Sequence, residues 1–224
     1  MYPRIAEYSL REFNVPEAPN TALQMKFILC DERPEVLDAW NSQFLRRPEV
    51  EIRRGDILNT PADAFLLPGN SFGFLDSGLE LRVVETFGWG IQDELRGRIR
   101  DEFDGELLVG QAIVFRSSSL LRGMVYTPIW RTPRRLSSTV NVFLGVRGAL
   151  LALKRDQGLG TFAMPGLGVG PGGLDPLISA RQIRYAYEMM TGLRGLGDKN
   201  LSQLARREKK LQIFPATGKE DLEE

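Results

Sequence analysis

The side chains with the clearest chemical potential lie in one short segment, LLPGNSFGFLDSGLE, at residues 66–80. Its apolar start predicts a buried strand that ends at a Pro-Gly pair. The loop that follows contains an amide, Asn70, and the carboxylates Asp76 and Glu80, among glycines and large apolar residues. Carboxylates can transfer protons, and an amide can both donate and accept hydrogen bonds. The segment therefore predicts a polar site at the end of a core strand.

Histidine is absent from the 224 residues, and this absence restricts the chemistry most strongly. It excludes Ser-His-Asp and Cys-His catalysis and histidine-ligated zinc. The one cysteine, Cys30, ends the apolar run MKFILC, which favours a buried structural thiol, although the count alone leaves a catalytic thiol open. Any reaction must use carboxylates, amides, hydroxyls, backbone groups or arginines, and we expect neither a metal nor a cofactor.

The charges of the chain balance, with 29 Lys and Arg residues against 29 Asp and Glu residues. A neutral chain gives no support for bulk binding to nucleic acid or to an anionic membrane, although a local basic patch could still exist. The N-terminus lacks a charged-then-apolar signal pattern, and no apolar run approaches the ~18 residues of a membrane span. Because a single cysteine also favours a reducing compartment, we expect a cytoplasmic protein.

Alternating strand and helix patterns predict an α/β sheet that is covered on both faces. The predicted strands are LQMKFILCD, VEIRRGDIL, DAFLLPG, QAIVFRS, GMVYTPIW and GTFAMPGL. Helical spacing is found in RPEVLDAWNSQFLRR, from Leu79 to Phe103 with a break at Gly88-Trp89-Gly90, from Ser137 to Lys154, and from Pro176 to Met190.

The two ends of the chain have a different composition from its middle. Residues 1–22 contain three prolines and predict an irregular N-terminal arm, whereas residues 23–192 form the predicted domain. From residue 193 to residue 224 charge takes over, as in ARREKK and KEDLEE. We expect a mobile or partner-dependent C-terminal tail there.

Two glycine-rich loops, at residues 69–78 and 166–173, follow predicted strands. In open α/β sheets ligands bind outside the carboxyl ends of strands, and glycine lets successive N–H groups converge on an anion. A diphosphate is the expected guest of two such loops, although tight turns alone would also explain the glycines. Neither loop has the Lys-Ser or Lys-Thr of a P-loop, and GLGVGPGG does not open a first βα turn as a dinucleotide fingerprint does.

The motifs in their order along the chain resemble the macrodomain family, which binds ADP-ribose. The similar features are Gly-Asp-Ile at residues 55–57, Asp-Ala at residues 63–64, the strand end at Asn70 with its glycine-rich loop, and FAMPGLGVGPGGLDP at residues 162–176. The resemblance covers roughly residues 50–190, and each motif alone is weak. It implies a three-layer α/β/α macrodomain-like fold with a mixed central sheet.

The resemblance also implies roles for individual residues. Asp56 would accept a hydrogen bond from the adenine amino group, and Asn70 would hold the distal ribose. Backbone N–H groups would bind the diphosphate. The implied ligand-binding set is Asp56, Ile57, Asn70, Gly78, Gly168, Val169, Gly170, Pro171, Gly172 and Gly173. The residues by themselves leave purely structural roles open as alternatives: an aspartate in a turn or cap for Asp56, an Asx-turn for Asn70, and loop anchoring for Phe72, Phe74 and Leu75.

Hydrolysis is implied only by part of the resemblance. In macrodomains that remove mono-ADP-ribose from proteins, an aspartate follows the ribose-binding asparagine by ten residues, and Glu80 stands at that spacing. Glu80 would activate or orient a water, with Asn70 and Asp76 as further catalytic candidates. Asp76 replaces a usual glycine and Leu67 a frequent asparagine, which puts the hydrolase subtype in question. An acid in the first turn of a helix is the other interpretation of Glu80.

The loop WRTPRRLSS, at residues 130–138, is basic and could contact a phosphate-bearing substrate or nucleic acid, or could simply be solvated. Three functions therefore remain. The first is hydrolysis of an ADP-ribosyl conjugate, of the mono-ADP-ribosyl or O-acetyl-ADP-ribose type, without metal. The second is non-catalytic reading of ADP-ribose or of an ADP-ribosylated macromolecule, and the third is processing of nucleotide or RNA-end phosphates. We expect no membrane partner.

Overall fold

The computed structural model describes residues 23, 25–118, 120, 122–156, 158–194 and 200–213. In these ranges the strands are β1 (Lys26–Asp31), β2 (Val50–Arg54), β3 (Ala64–Asn70), β4 (Ile113–Phe115), β5 (Gly123–Trp130) and β6 (Thr161–Met164). The helices are α1 (Pro34–Phe44), α2 (Gly78–Phe87), α3 (Gly90–Phe103), α4 (Asn141–Arg155), α5 (Pro176–Met190) and α6 (Leu201–Gln212). The predicted N-terminal arm, residues 1–22, lies outside the described residues.

One six-stranded sheet organises the domain, with the strand order β2-β1-β6-β3-β5-β4. Every pairing is parallel except that of β4, which runs antiparallel to β5. Every residue of β5 is buried, as are most residues of β3. Such continuous apolar runs are typical of strands that are covered on both faces. The five parallel strands therefore end at one edge of the sheet, and this edge carries both glycine-rich loops.

Helices cover both faces of the sheet and divide the core into two clusters. On one face α1, α4 and α5 pack against side chains such as Phe27 and Phe162. The ring of Tyr187 packs edge-on against that of Phe27, with 5.0 Å between the ring centroids. On the other face α2 and α3 pack through residues such as Val84 and Leu95. The predicted three-layer α/β/α fold with a mixed sheet is confirmed. None of the helices within the described ranges is long and apolar enough to cross a membrane.

Helix boundaries follow the local signals in most places, with one exception in α4. The predicted break between α2 and α3 is confirmed, because Gly88 ends α2 with a φ of 98°. Helix α4 begins at Asn141 rather than at the predicted Ser137. Ser138 has a φ of 61°, which an α-helix cannot include, and Thr139 N–H closes a turn onto Leu136.

Helix α6 lies in the segment for which the sequence predicts a mobile or partner-dependent tail. Its last turn is attached to α5: Arg181 donates to the carbonyl oxygens of Lys210 and Ile213 at 2.8 and 2.7 Å, and Gln182 donates to that of Leu211 at 3.1 Å. The terminal carbonyls of a helix lack partners within it, so these donors stabilise the end of α6. The sequence misses α6 because it is strongly charged and buries a single residue, Leu211.

Close approach of α4 to the edge of the sheet depends on Gly148. A Cβ atom at this position would overlap the backbone carbonyl of Gly110. We expect Gly148→Ala to lower the free energy of unfolding by about 2 kcal/mol or more, because backbone atoms must shift to admit a methyl group. Urea unfolding of the variant checks this.

Gly97→Ala is the matched control in α3. The new methyl group would meet only the end of the Arg100 side chain, at 3.8 Å. Helix propensity should make this variant more stable by up to about 1 kcal/mol. Equal effects of the two substitutions would contradict the packing described for α4.

Candidate functional site

A cleft of about 320 Å³ lies at the carboxyl ends of the parallel strands. This volume is in the range of small-molecule sites. The lining residues come from the ends of the five parallel strands and from both glycine-rich loops: Cys30, Asp31, Glu32, Arg33, Gly55, Asp56, Ile57, Pro68, Ser77, Gly78, Leu79, Glu80, Arg82, Ile129, Trp130, Pro165, Gly166, Gly168, Gly170, Pro171 and Gly172.

The cleft contains most of the side chains and loops that the sequence singles out. The predicted residues that line it are Asp56, Ile57, Gly78, Glu80, Gly168, Gly170, Pro171 and Gly172. Four predicted residues lie beside it without lining it: Asn70, Asp76, Val169 and Gly173. The two loops predicted to face one ligand therefore do border one cavity.

The second glycine-rich loop keeps several N–H groups unpaired. Its shape is set by hydrogen bonds from Gly173 N–H to the Gly170 oxygen and from Leu174 N–H to the Gly168 oxygen, both at 2.9 Å. Within the described part of the chain, no hydrogen bond uses the N–H groups of Gly168, Val169, Gly170 or Gly172. These donors can serve an anion in the cleft.

The N-terminus of α2 supplies a second set of donors. Ser77 precedes the helix and makes no side-chain cap, so the N–H groups of Gly78, Leu79 and Glu80 have no partner among the described residues. All three residues line the cleft. By contrast, α5 is capped, because the Asp175 carboxylate accepts from Leu177 N–H at 2.8 Å. The helix dipole of α2 therefore favours negative charge in the cleft.

Asp56 caps the short 3-10 turn Ile57–Asn59 at the end of β2. Its carboxylate accepts from the Leu58 N–H at 2.9 Å and from the Asn59 amide at 3.1 Å, and it forms an ion pair with Arg82 of α2. A carboxylate has about four lone-pair sites, so these three donors leave room for one more. Asp56 thus combines the capping role with an open acceptor site in the cleft.

Glu80 is a buried carboxylate with one weak partner. It is 7% exposed, and its only hydrogen bond among the described residues comes from the Asn70 amide at 3.5 Å. Burial, and to a smaller extent the charge of Asp76, raises the pKa of Glu80 to about 8. The carboxyl group lies over Gly69, where a Cβ atom would come within 2.6 Å of Oε1. Glu80 can therefore exchange a proton near neutral pH.

Tyr126 shares this buried corner with Glu80. Its hydroxyl donates to the backbone oxygen of Asn70 at 2.6 Å, at the point where the register of β3 with β5 shifts. Burial, and then the charge of Glu80, raises the pKa of Tyr126 well above its ordinary value. The phenol is consequently a fixed donor that holds the irregular end of β3.

Asn70 closes the first loop rather than lining the cleft. Its side-chain oxygen accepts from the N–H groups of Phe72 and Phe74, at 3.1 and 3.3 Å, and its amide donates to the Phe74 oxygen at 2.7 Å. The first of these bonds is the Asx-turn named as an alternative above. The loop is also held from outside, because Leu75 is fully buried and Arg96 stacks on Phe74 at 4.1 Å.

Asp31, at the end of β1, is a second buried carboxylate in the cleft. Arg33 binds it through Nε at 2.8 Å and Nη2 at 2.7 Å, and the N–H groups of Arg33 and Gly166 each donate to it at 3.0 Å. Burial by itself would raise the pKa of Asp31, but these hydrogen bonds outweigh it and hold the pKa below its ordinary value. Asp31 therefore stays ionised and ties β1 to the second loop.

The basic loop at residues 130–138 supports the second glycine-rich loop. Leu136 N–H donates to the Gly172 oxygen at 2.9 Å, and the Arg135 guanidinium lies against Gly173. Arg131 is paired with Glu106 through bonds of 2.6 and 3.0 Å. None of the three arginines of this loop is among the residues that line the cleft.

Sequence reasoning misses the charged residues Asp31, Arg33 and Arg82, as well as Trp130, as parts of the cleft. Asp31 and Arg33 directly follow a predicted strand, so the rule that ligands bind at strand ends could have found them. Arg82 offers no such signal, because its place depends on how α2 packs. Cys30 is buried as predicted, and its thiol donates to the Gly55 oxygen at 3.3 Å.

Comparisons with known proteins identify the fold. No protein-family model matches the chain. An uncharacterized protein from Aeropyrum pernix is 27% identical over 144 residues, which cover 64% of this chain and 72% of that protein.

Two solved structures have a fold similar to that of this chain. The macrodomain of Mycobacterium tuberculosis DarG is similar with a TM-score of 0.52 at 21% identity, over 61% of this chain and 88% of that chain. A mutant of the Oceanobacillus iheyensis macrodomain with ADPR is similar with a TM-score of 0.53 at 20% identity, over 64% of this chain and 78% of that chain. At these identities the similarity shows the fold.

Glu80→Gln should change how stability depends on pH. The native pKa of Glu80, about 8, lies above the 4.5 that is ordinary for a glutamate in an unfolded chain. The native state therefore retains a proton that the unfolded state releases, and wild-type stability falls as pH rises from about 4.5 to 8. Glutamine is neutral throughout, so the variant should gain stability relative to wild type over this window, by at most about 5 kcal/mol.

Urea unfolding at several pH values between about 5 and 9 measures this difference. Glu85→Gln is the control, since Glu85 is exposed on the same helix. A stability difference between Glu80→Gln and wild type that does not vary with pH would contradict the assignment of Glu80 as a buried, protonated acid.

Proposed function

We propose that this chain, which has the macrodomain fold, binds ADP-ribose in the cleft and hydrolyses an ADP-ribosyl conjugate. One observation carries the binding proposal: N–H groups of the second loop and of the N-terminus of α2, which have no partner among the described residues, border the same cavity. A diphosphate matches these donors because it accepts several hydrogen bonds. The converging N–H groups and the dipole of α2 can stabilise its negative charge without a cationic side chain. A mutant of the Oceanobacillus iheyensis macrodomain, of similar fold, has a structure with ADPR, that is, ADP-ribose.

The adenine ring would lie at the end of the cleft where Asp56 and Ile57 follow β2. The remaining lone pair of Asp56 would accept from the adenine amino group, and Ile57, which is 4% exposed, would form part of an apolar wall. The distal ribose would lie at the other end, near Gly78 and Glu80. In this arrangement Asn70 acts through the loop that it closes, and Asp76 acts through its charge on Glu80.

Hydrolysis would use Glu80 as the general base. An ionised carboxylate near the distal ribose can take a proton from water as the water attacks the anomeric carbon, while the bond from that carbon to the acceptor oxygen breaks. The bound conjugate would be a mono-ADP-ribosyl group on a macromolecule. If it is O-acetyl-ADP-ribose, the same base would activate water for attack on the acetyl carbonyl carbon, the ester bond to the ribose oxygen would break, and the proton would pass from Glu80 to that oxygen. The alternative at this same site is a reader that binds ADP-ribose without turnover. It is favoured by the raised pKa of Glu80, since little of the base is ionised at neutral pH.

Binding should be selective for ADP-ribose, with ADP, AMP and NAD as weaker comparators in isothermal titration calorimetry. Asp56→Asn should weaken ADP-ribose binding about tenfold, because an amide cannot replace a carboxylate acceptor at both oxygens. The same variant should lose less affinity for the inosine analogue of ADP-ribose, whose C6 carbonyl oxygen can accept from the new amide.

Asp38→Asn, an exposed change on α1, is the matched control and should leave both affinities unchanged. Absence of ADP-ribose binding to the wild-type chain would overturn the binding proposal. Equal losses for the two ligands in Asp56→Asn would remove Asp56 from adenine recognition.

If Glu80 is the base, turnover should increase with pH and level off above about 8. The reason is that the ionised fraction of Glu80 increases until the pH exceeds its pKa. Glu80→Gln should reduce the rate at least about 10²-fold while ADP-ribose still binds. Release of ADP-ribose from a mono-ADP-ribosylated protein and from O-acetyl-ADP-ribose, followed across pH, checks both points. A rate that falls as pH rises through 8 would indicate that Glu80 acts as a general acid. Absence of wild-type turnover at every pH would favour the alternative, a protein that binds ADP-ribose without hydrolysing it.

A further inference from the structure

We propose that the guanidinium group of Arg33 is the platform on which the adenine ring stacks. The inference rests on the proposed function, since it takes adenine to lie at the Asp56 end of the cleft. It adds a contact with the face of the ring to the edge contact of Asp56. The argument uses the anchoring of Arg33, its position and the chemistry of its partner.

Arg33 is fixed at both its backbone and its side chain. Its carbonyl oxygen accepts from Val36 and Leu37 N–H at 3.1 and 3.2 Å, so it forms the N-cap of α1. Its guanidinium binds the Asp31 carboxylate through two parallel hydrogen bonds of 2.8 and 2.7 Å. A bidentate pair of this kind defines the orientation of the whole guanidinium plane.

The fixed plane lies at the adenine end of the cleft. Strands β1 and β2 are neighbours, and Gly55 N–H donates to the Asp31 oxygen at 3.1 Å. Arg33 and Asp56 therefore follow adjacent strand ends, and both line the cavity. The Arg33 side chain is 38% exposed whereas that of Asp31 is 8% exposed, so the Arg33 side chain retains surface that a ligand can contact.

The ion pair also favours an aromatic ring over a further anion. Asp31 compensates the charge of Arg33, while the planar, weakly hydrated guanidinium remains suited to stacking on a π-system. Arg82 lacks these properties: it contacts Asp56 through one nitrogen, and its side chain is 46% exposed. The two hydrogen bonds to Asp31 therefore distinguish Arg33 from Arg82, which also lines the cleft.

The competing role for Arg33 is a hydrogen bond to a phosphate oxygen. The guanidinium has five N–H donors and uses two of them on Asp31, so three have no partner in the described part of the chain. Stacking requires the plane, whereas a phosphate contact requires only charge and a donor. Arg33→Lys separates the roles because lysine keeps the charge and loses the plane.

We expect Arg33→Lys to bind ADP-ribose about tenfold more weakly in calorimetry, the loss of one stacked base. Binding of inorganic pyrophosphate, followed through the amide signals of the second loop by NMR, should not change. In the wild-type complex, isotope-filtered NOE spectra should show contacts between adenine H2 or H8 and the Arg33 Cδ protons. Arg46→Lys, an exposed change at the end of α1, should bind like wild type.

Each other outcome overturns the inference in a distinct way. Unchanged ADP-ribose affinity, or NOE contacts of Arg33 with ribose protons alone, would show that no base stacks there. A parallel loss of pyrophosphate binding would make Arg33 a phosphate ligand or a support of the second loop. Wild-type protein that binds no ADP-ribose would instead refute the proposed function.

Discussion

The buried carboxylate of Asp31 is the interaction on which the cleft depends. Removing a charge from water is costly unless several donors surround it, and Asp31 has four of them, three from Arg33 and one from Gly166. Its backbone oxygen meanwhile accepts from Gly55. One residue thereby fixes the ends of β1 and β2 and the start of the second loop relative to one another. The floor of the cavity has its shape because these connections are made together.

Glu80 is the opposite case in the same cavity. Both carboxylates are buried, yet Asp31 is saturated with donors and Glu80 has only the long bond from Asn70. Their environments shift the two pKa values in opposite directions. Such a divergence separates an acid that holds structure from one that can exchange a proton. Burying Glu80 in this way opposes folding, and a cost of this sign is consistent with the proposed role of Glu80 in hydrolysis.

Most of the fold could be predicted because its strands are apolar and its helices periodic. Strands β3 and β5 are short apolar runs bounded by turn residues, and α5 has the predicted bounds, since Asp175 and Pro176 mark its start. Helix α6 has no such pattern. It is held by two α5 side chains that bind its backbone and by Arg207, which donates to the Tyr185 hydroxyl at 3.2 Å, and no sequence motif encodes these contacts.

The cleft could be predicted only where loops carry their own signal. Glycine-rich segments at strand ends identify the two loops, and the Gly-Asp-Ile motif identifies Asp56. The arrangement around Asn70 could not be predicted in the same way, because a single asparagine can close a turn or bind a sugar equally well. Arg33 follows a predicted strand end, so the rule that ligands bind there could have identified it. Arg82 has no such signal, because its place in the cavity depends on how α2 packs.

The attachment of α6 has a consequence for how the sequence can diverge. Arg181 and Gln182 bind the main-chain carbonyls of Lys210, Leu211 and Ile213, which every amino acid supplies. Apart from the buried Leu211 and from Arg207, which donates to the Tyr185 hydroxyl at 3.2 Å, the positions of α6 can therefore change with little effect on its docking. The constraint from docking falls mainly on the two α5 residues instead, so the exposed face of this helix can change while its attachment persists.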